Sequence, residues 1–302
     1  MGKITPWAAP NAMMGNRTVA VCATIKDELP HIDEWVDYNL GLGMAAIYIY
    51  DNAEEPHAMV EWEQDRRYMR GEPVSVVHHP GRMEQCAMYA SCFKRALDDG
   101  HTWVLVVDVD EFLVLKQHDH VADFAAEYCP AGQLGISLRL FGMANQTSYR
   151  RLPVTYRFQH HIADNYFRSL LVKSLFQLKD WDPRAPCTSP HFFYMKKKRK
   201  REPMSKDTRG KTMRGARNRG GPHDVAVIHH YFFKSQEEYI WKRLRGDVWF
   251  DSDKLGVYLR NAVNGLDGEG KPLPIEVGHD DTAWKAMKKL LPKYSIYDQC
   301  DT

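Results

Sequence analysis

Trp103-Val-Leu-Val-Val-Asp108-Val-Asp110-Glu111-Phe112 is the stretch that decides the fold. Five apolar residues, mostly β-branched, run without interruption and then meet three carboxylates. Such a run reads as a strand buried on both faces, the kind found inside a parallel sheet. In open α/β sheets, ligands bind beyond the carboxyl ends of the strands, where Asp108, Asp110 and Glu111 fall. Carboxylates this close repel one another unless a cation or hydrogen-bond donors compensate them. A hard divalent ion that also grips substrate phosphates meets that need. The competing reading is a strand end whose acids only cap the next element.

Working outward, strands and helices alternate. Val19 to Ile25 and Ala46 to Tyr50 read as buried strands, and Val74 to Val77 as a third. Between the first two, Ile32, Trp35, Val36 and Leu40 form the stripe of a helix that opens near Pro30 and stops at Gly41 and Gly43. Cys86, Tyr89, Ala90, Phe93 and Leu97 repeat at helical spacing before the Asp108 strand. Further strands are predicted at Leu134 to Leu140, Ser169 to Phe176, His191 to Met195 and Val225 to Ile228. Ser235 and Glu238 form a capping box for a helix reaching about Arg245. A last helix carries Trp284, Met287, Leu290 and Leu291. The pattern predicts an α/β fold, a Rossmann-like α/β/α sandwich with a mainly parallel central sheet. The expected division is an N-terminal extension over 1–18, a main domain over 19–250 and a C-terminal helical extension over 251–302.

The chain has 302 residues, enough for a substantial core, and no apolar run near the roughly 20 residues that span a bilayer. Met1 to Thr18 lacks the apolar centre of a signal peptide. The six cysteines show no CxxC spacing, so buried free thiols and a reducing, cytoplasmic setting are expected rather than a disulfide frame or a zinc site. Of 41 basic and 39 acidic residues, twelve and two lie between Lys196 and Arg219, leaving 29 and 37 elsewhere. The body is acidic, and residues 196–221 read as a basic, mobile loop. A run such as Lys196 to Arg201 also suits a nuclear-localisation or phosphate-binding patch. The absence of a helix-turn-helix, zinc-finger or RNP-like motif argues against sequence-specific nucleic-acid recognition.

Several of these segments together resemble glycosyltransferase family 92 and its bacterial relatives near family 2. The resemblance starts with CATIKDELPHIDEWVDYNLGLGMAAIYIYDN from Cys22 to Asn52. It passes through Gln85, Tyr89, Cys92 and Arg95 into the Asp108 stretch, and resumes at Phe141-Gly142, Lys173, His191 and His229-His230-Tyr231. It closes on Lys234-Ser235 and Glu238-Tyr239, spanning most of residues 19 to 245. Met143 to Gln146 and the basic insertion depart from the family pattern, on the side where an acceptor would lie. The resemblance implies a GT-A fold, a nucleotide-sugar donor (a UDP-sugar in the first instance), a glycan or other hydroxyl acceptor, Mn²⁺ or Mg²⁺, and inversion at the anomeric carbon.

Roles can be assigned on that footing. A metal stabilises charge growing on a sugar-diphosphate leaving group. Asp110 is the first candidate ligand, and Asp108 bonds the ribose or reaches the ion through water. Glu111 orients its neighbours, and His230, with His191 and His229 as competitors, completes the shell. Thr24, Lys26, Glu28, Asp51, Asn52, Arg82 and Gln85 are candidate donor contacts, each with an ordinary surface turn or solvated charge as the competing reading. An inverting transfer needs a general base, for which Asp164 and then Asp180 are the candidates. A nucleotidyltransferase or a nucleotide-sugar hydrolase could use the same carboxylates. The basic segment could close over the donor or meet an anionic membrane surface.

Overall fold

The computed structural model describes residues 17–196, 204–246, 255–267 and 270–299. Lys197 to Arg201, the densest part of the basic run, lies outside the described residues, as do nearly all of the N-terminal extension and Cys300.

The strands are β1 (Val19–Ile25), β2 (Ala46–Asp51), β3 (Val74–His78), β4 (Trp103–Val106), β5 (Glu111–Leu115), β6 (Gln133–Leu140), β7 (His160–Ile162), β8 (Val172–Gln177), β9 (Met204–Lys206), β10 (Thr212–Arg214), β11 (Ala226–His230) and β12 (Glu276–His279). The helices are α1 (Leu29–Gly41), α2 (His57–Glu63), α3 (Gln85–Asp98), α4 (Val121–Tyr128), α5 (Val154–Arg157), α6 (Gln236–Leu244), α7 (Leu255–Val263) and α8 (Thr282–Leu290). The main sheet runs β10-β9-β6-β8-β4-β1-β2-β3, and β11 joins β6 to β5. β3, β2, β1 and β4 are parallel, as predicted, whereas β8 enters antiparallel between β4 and β6.

Alternation along β1 builds two cores. Val19, Val21, Ala23 and Ile25 face one layer with Trp35, Tyr38 and Phe124, while Ala20 and Cys22 face the other with Met88, Cys92 and Phe93. Helices therefore cover both faces, and the α/β/α sandwich expected from the sequence is the observed architecture. Residues 255–299 join it: Trp284 and Met287 of α8 sit in the first core and β12 pairs with β7. Among the described residues, no helix is long and apolar enough to cross a membrane.

Three expectations need correction. His191 to Met195 is not a strand. Both edges of β8 are already taken by β4 and β6, so Phe193 instead packs across the face, against Phe93, Phe176 and Tyr89. The described part of the basic segment is a hairpin, β9–β10, attached to β6. Its exposed basic residues include Lys206, Arg209, Lys211, Arg214, Arg217 and Arg219, and Met213 points inward. Gly135 of β6 leaves the space for it, since a Cβ there would meet the Met213 methyl at 2.3 Å. Asp207 fixes the turn by accepting from the backbone of Arg209 and Lys211, each at 3.0 Å. The thiols, finally, are paired. Cys22–Cys92 joins β1 to α3, Cys86–Cys187 joins α3 to the segment before residue 191, and Cys129 is free and buried. Disulfides are characteristic of oxidising compartments, so the expectation of a reducing one loses its basis.

The β3 and β10 edges of the sheet end differently. At β3 the Val76 N–H donates to the Glu63 carboxylate at 3.0 Å. At β10 the exposed side chains are Thr212 and Arg214.

Candidate active site

The apolar run ends as a strand at Val106, and a tight turn from Asp108 to Glu111 changes the chain's direction before β5. Glu111 N–H donates to the Asp108 carbonyl and the Glu111 carboxylate accepts from the Asp108 N–H, both at 2.9 Å. Trp35 of α1 donates to the Glu111 carbonyl at 2.9 Å, fixing the turn to the core. β11 runs antiparallel to β5 with His230 opposite Glu111, so the imidazole arrives beside the acids. The Tyr231 N–H donates to the Asp110 carbonyl at 2.8 Å, locking that register.

Two lysines neutralise the acids. Lys173 of β8 is fully buried, with Nζ 2.6 Å from Asp108 and 2.9 Å from Glu111. Burial alone would lower its pKa; Asp108 and Glu111 reverse this and hold it above the ordinary lysine range. Lys242 of α6 places Nζ 2.5 Å from Asp110 Oδ2 and rides over the Phe232 ring at 4.1 Å. Burial would raise the Asp110 pKa, but Lys242 and His230 hold it well below the usual carboxylate range. Glu111, deeper still, is raised by burial. His230 Nε2 lies 3.5 Å from Asp110 Oδ1, and its Nδ1 lies 3.5 Å from Glu111 Oε1. Those last two atoms have no hydrogen-bond partner.

Next to Lys242, the turn after β1 and helix α6 enclose a small pocket lined by Lys234, Lys242 and Arg245, by the acids Asp27, Glu28 and Glu238, and by Trp241. Glu28 is held there by Arg245 and, at 3.9 Å, Lys234. Burial opposes its ionisation, yet Arg245 and Lys234 pull its pKa down to about 2. Glu28 therefore ties α6 to the end of β1.

The remaining expected donor contacts divide. Thr24 and Gln85 meet at 2.8 Å, Tyr89 joins them at 3.1 Å, and Gln85 Oε1 is buried without a partner. Asp51 is in register with Ile25, accepts from the Ala53 N–H at 3.0 Å and leaves Oδ2 buried and unpartnered. Burial raises its carboxyl pKa. Asn52 instead braces residues 79–81 through two carbonyls, Arg82 lies exposed in the turn before α3, and the Lys26 carbonyl accepts from Arg245 at 2.6 Å.

Two candidate bases do not reach the site. Asp180 follows β8, and because β8 is antiparallel to β4 it lies at the start of β4, at the end of the strands opposite Asp108, accepting from the Gly132 N–H at 2.7 Å. Asp164 is bound by Arg139 at 2.9 Å. Arg139 is paired with His229 across β6 and β11, so both point to the face opposite His230. His223 and Arg139 hold Asp164 well below the ordinary carboxylate range despite its burial, which suits an ion pair and not a proton acceptor. His229, for its part, faces Asp280 at 3.3 Å, away from Asp110. His191 donates from Nδ1 to the Val172 carbonyl at 3.0 Å; burial, then Lys173, pushes its pKa down to about 3, so it is neutral.

A hard divalent cation can be tested against this donor set. Among the described residues, no three His, Cys, Asp or Glu side chains form a ready cluster. Asp110 Oδ1 and His230 Nε2 do face each other with hard oxygen and nitrogen donors, beside unpartnered Glu111 Oε1. That set fits an ion taking most of its coordination from phosphate oxygens and water, the habit of Mg²⁺ in phosphate sites, and does not fit an all-protein cage.

Lys173, Lys234, Lys242 and Arg245 had no role assigned from sequence. A lysine inside the apolar run Val172-Lys-Ser-Leu-Phe-Gln177 was a usable signal, because a charge in a buried strand requires a partner. Lys242 and Arg245 gave none, since basic residues near a helix C-terminus are commonplace.

No protein-family model matches the chain. The resemblance read from the sequence is supported by curated relatives. The chain is 25% identical over 143 residues to a glycosyltransferase family 92 protein of Oryza sativa subsp. japonica, covering 46% of this chain and 24% of the relative. It is 30% identical over 102 residues to a glycosyltransferase family 92 protein of Arabidopsis thaliana, covering 33% and 17%. The chain thus spans less than a quarter of the relatives' length in each match. Among solved structures, Staphylococcus aureus TarS aligns over 83% of this chain and 44% of its own, with a TM-score of 0.38 and 10% identity.

Proposed function

We propose that this protein is a glycosyltransferase that moves a sugar from a nucleotide-sugar donor, in the first instance a UDP-sugar, to a hydroxyl of a glycan or other acceptor. The observation that carries the reading is the meeting of Asp110 and His230 at the carboxyl ends of β4 and β11, beside a pocket walled by Lys234, Lys242 and Arg245. The similarity to family 92 proteins supports the reaction class.

On this reading, Asp51, Thr24 and Gln85 receive the nucleoside, and the three cations face the diphosphate, whose charge grows as the glycosidic bond breaks. Asp110 and His230 would hold Mn²⁺ or Mg²⁺, which supplies Lewis-acid stabilisation to the leaving phosphate when bound. Glu111 and Lys173 position the Asp108–Glu111 turn, and Asp108, partly exposed and paired with Lys173 through Oδ2, has its other oxygen to meet a ribose hydroxyl or an ordered water. Trp241, which lines the pocket, and Tyr149, whose ring lies 5.4 Å from it, give a sugar ring an apolar surface. Inversion of configuration follows the family resemblance. Outward-facing cations on the β9–β10 hairpin suit an anionic membrane surface, to which sequence-specific nucleic-acid recognition is the less suited alternative.

The test is a thermal-shift screen of nucleotide sugars with and without Mn²⁺, followed by product analysis of the stabilising donor. Asp110→Asn preserves shape while removing charge, and is expected to fold normally and lower transfer at least about a hundredfold, within the several kcal/mol a catalytic metal supplies. Free sugar produced at the same rate with and without acceptor would identify a hydrolase instead. Full transfer by Asp110→Asn would overturn the assignment.

A further inference from the structure

We propose that Lys242 is the resident counter-ion of Asp110, an internal cation that competes with the divalent ion and leaves Asp110 when a diphosphate arrives. The inference rests on the glycosyltransferase reading of the site and adds to it an order of events.

Geometry carries the proposal. Asp110 is only 3% exposed, and a carboxylate so deeply placed is costly without a positive partner. Lys242 is that partner, 2.5 Å from Oδ2, while Oδ1 faces His230. A divalent ion approaching Asp110 alone must therefore share the carboxylate with an ammonium a few ångströms away. Like charges at that separation repel strongly where water is scarce. Lys242 also has somewhere to go. Its ammonium lies over the Phe232 ring at 4.1 Å, its side chain is 21% exposed, and it already lines the pocket with Lys234 and Arg245. A short swing from Asp110 into that pocket exchanges one anionic partner for another, the donor's diphosphate. Asp110 is thereby released to the cation at the moment its other ligands, the phosphate oxygens, become available. Lys173 cannot play this part, because it is fully buried and held between Asp108 and Glu111.

The thermodynamic consequence is coupling. Each ligand removes an obstacle to the other, so Mn²⁺ and nucleoside diphosphate tighten each other's binding reciprocally. In the empty enzyme, the lysine keeps the carboxylate neutralised and the cation affinity low.

Mn²⁺ binding, followed by the loss of the free-ion paramagnetic resonance signal with and without UDP, tests this on the full chain. Lys242→Met keeps the apolar stem and removes the charge, and Lys242→Gln is the second variant should Met fold poorly. Thermal melts confirm folding in each case. The expected result is Mn²⁺ binding to the UDP-free variant at least about tenfold tighter than wild type, a smaller enhancement by UDP than wild type shows, and loss of the gain in Asp110→Asn/Lys242→Met. Unchanged or weaker Mn²⁺ affinity in both folded Lys242 variants would overturn the counter-ion role. A gain that persists without the Asp110 charge would do the same, by placing the ion elsewhere. Failure of the functional reading looks different: the Mn²⁺ results stand while product analysis of the stabilising donor finds no sugar transferred to an acceptor.

Discussion

Replacing Lys173 with Met removes a charge from the most enclosed part of the site while keeping a side chain of similar length. Wild-type Nζ lies 2.6 Å from Asp108 and 2.9 Å from Glu111, and the Lys173 and Glu111 side chains are both fully buried. At an effective dielectric of about 20, a charge pair 2.9 Å apart attracts by about 6 kcal/mol, much of it offset by desolvation. Removing one partner of such a buried pair typically costs about 3–5 kcal/mol, because the survivor is left uncompensated. Near the lower limit of about 2 °C per kcal/mol for a large domain, the melting temperature should fall by about 6–10 °C. The pH dependence identifies the cause. Burial already raises the Glu111 pKa, and without Lys173 it rises further. A raised folded-state pKa means that stability is retained below the unfolded value and lost as pH rises through the folded one. The deficit of Lys173→Met should therefore be larger at pH 8 than at pH 5.5. Adding Glu111→Gln, which still accepts from the Asp108 N–H, should recover most of the loss. Melts of the wild type, both single variants and the double variant at the two pH values complete the cycle. An equal deficit at both pH values, or a double variant no better than Lys173→Met, would show that packing, and not an orphaned carboxylate, sets the cost.

Two further outcomes follow from the corrections to the sequence reading. Asp164→Asn and Asp180→Asn should each leave transfer within about threefold of wild type in a steady-state assay, since neither carboxylate faces the site, and a hundredfold loss in either would restore it as a base. Reduction of both disulfides should lower the melting temperature without abolishing the fold. Cross-links separated by 70 and 101 residues are worth about 4–5 kcal/mol each in the chain-entropy picture, read out by melts with and without reductant and by mass after thiol labelling.

What was legible in the sequence was local. β1 and the register of its alternation follow from seven residues, and the Asp108–Glu111 turn announces itself by acids closing an apolar run. His230 could be placed beside them because it closes a short strand of the same kind. What was not legible was direction and distance. The apolar residues of β8 show a strand but not that it enters antiparallel, and that single reversal sends Asp180 to the far end of the strands. The cysteines are far apart in sequence, so only folding α3 over β1 reveals their pairing. In the basic segment, inward residues such as Ser205 and Met213 were outweighed by the charges between them. Lys173 showed itself as an oddity in a strand, but its meaning depends on two acids more than sixty residues earlier.

The differing ends of the main sheet bear on how copies of this chain meet. A strand at a sheet's edge offers its unpaired amides as a template, and stacking of one copy's edge on another's is the usual route to fibres and swapped dimers. On one side, Glu63 answers the Val76 amide from within the same molecule, so an incoming strand would find a donor already taken. On the other, an approaching β10 from a second copy would bring Arg214 and its cationic neighbours against their own likeness. At these two edges an added strand would meet a donor already satisfied on one side and like charge on the other, and only the second of these barriers weakens as salt is added.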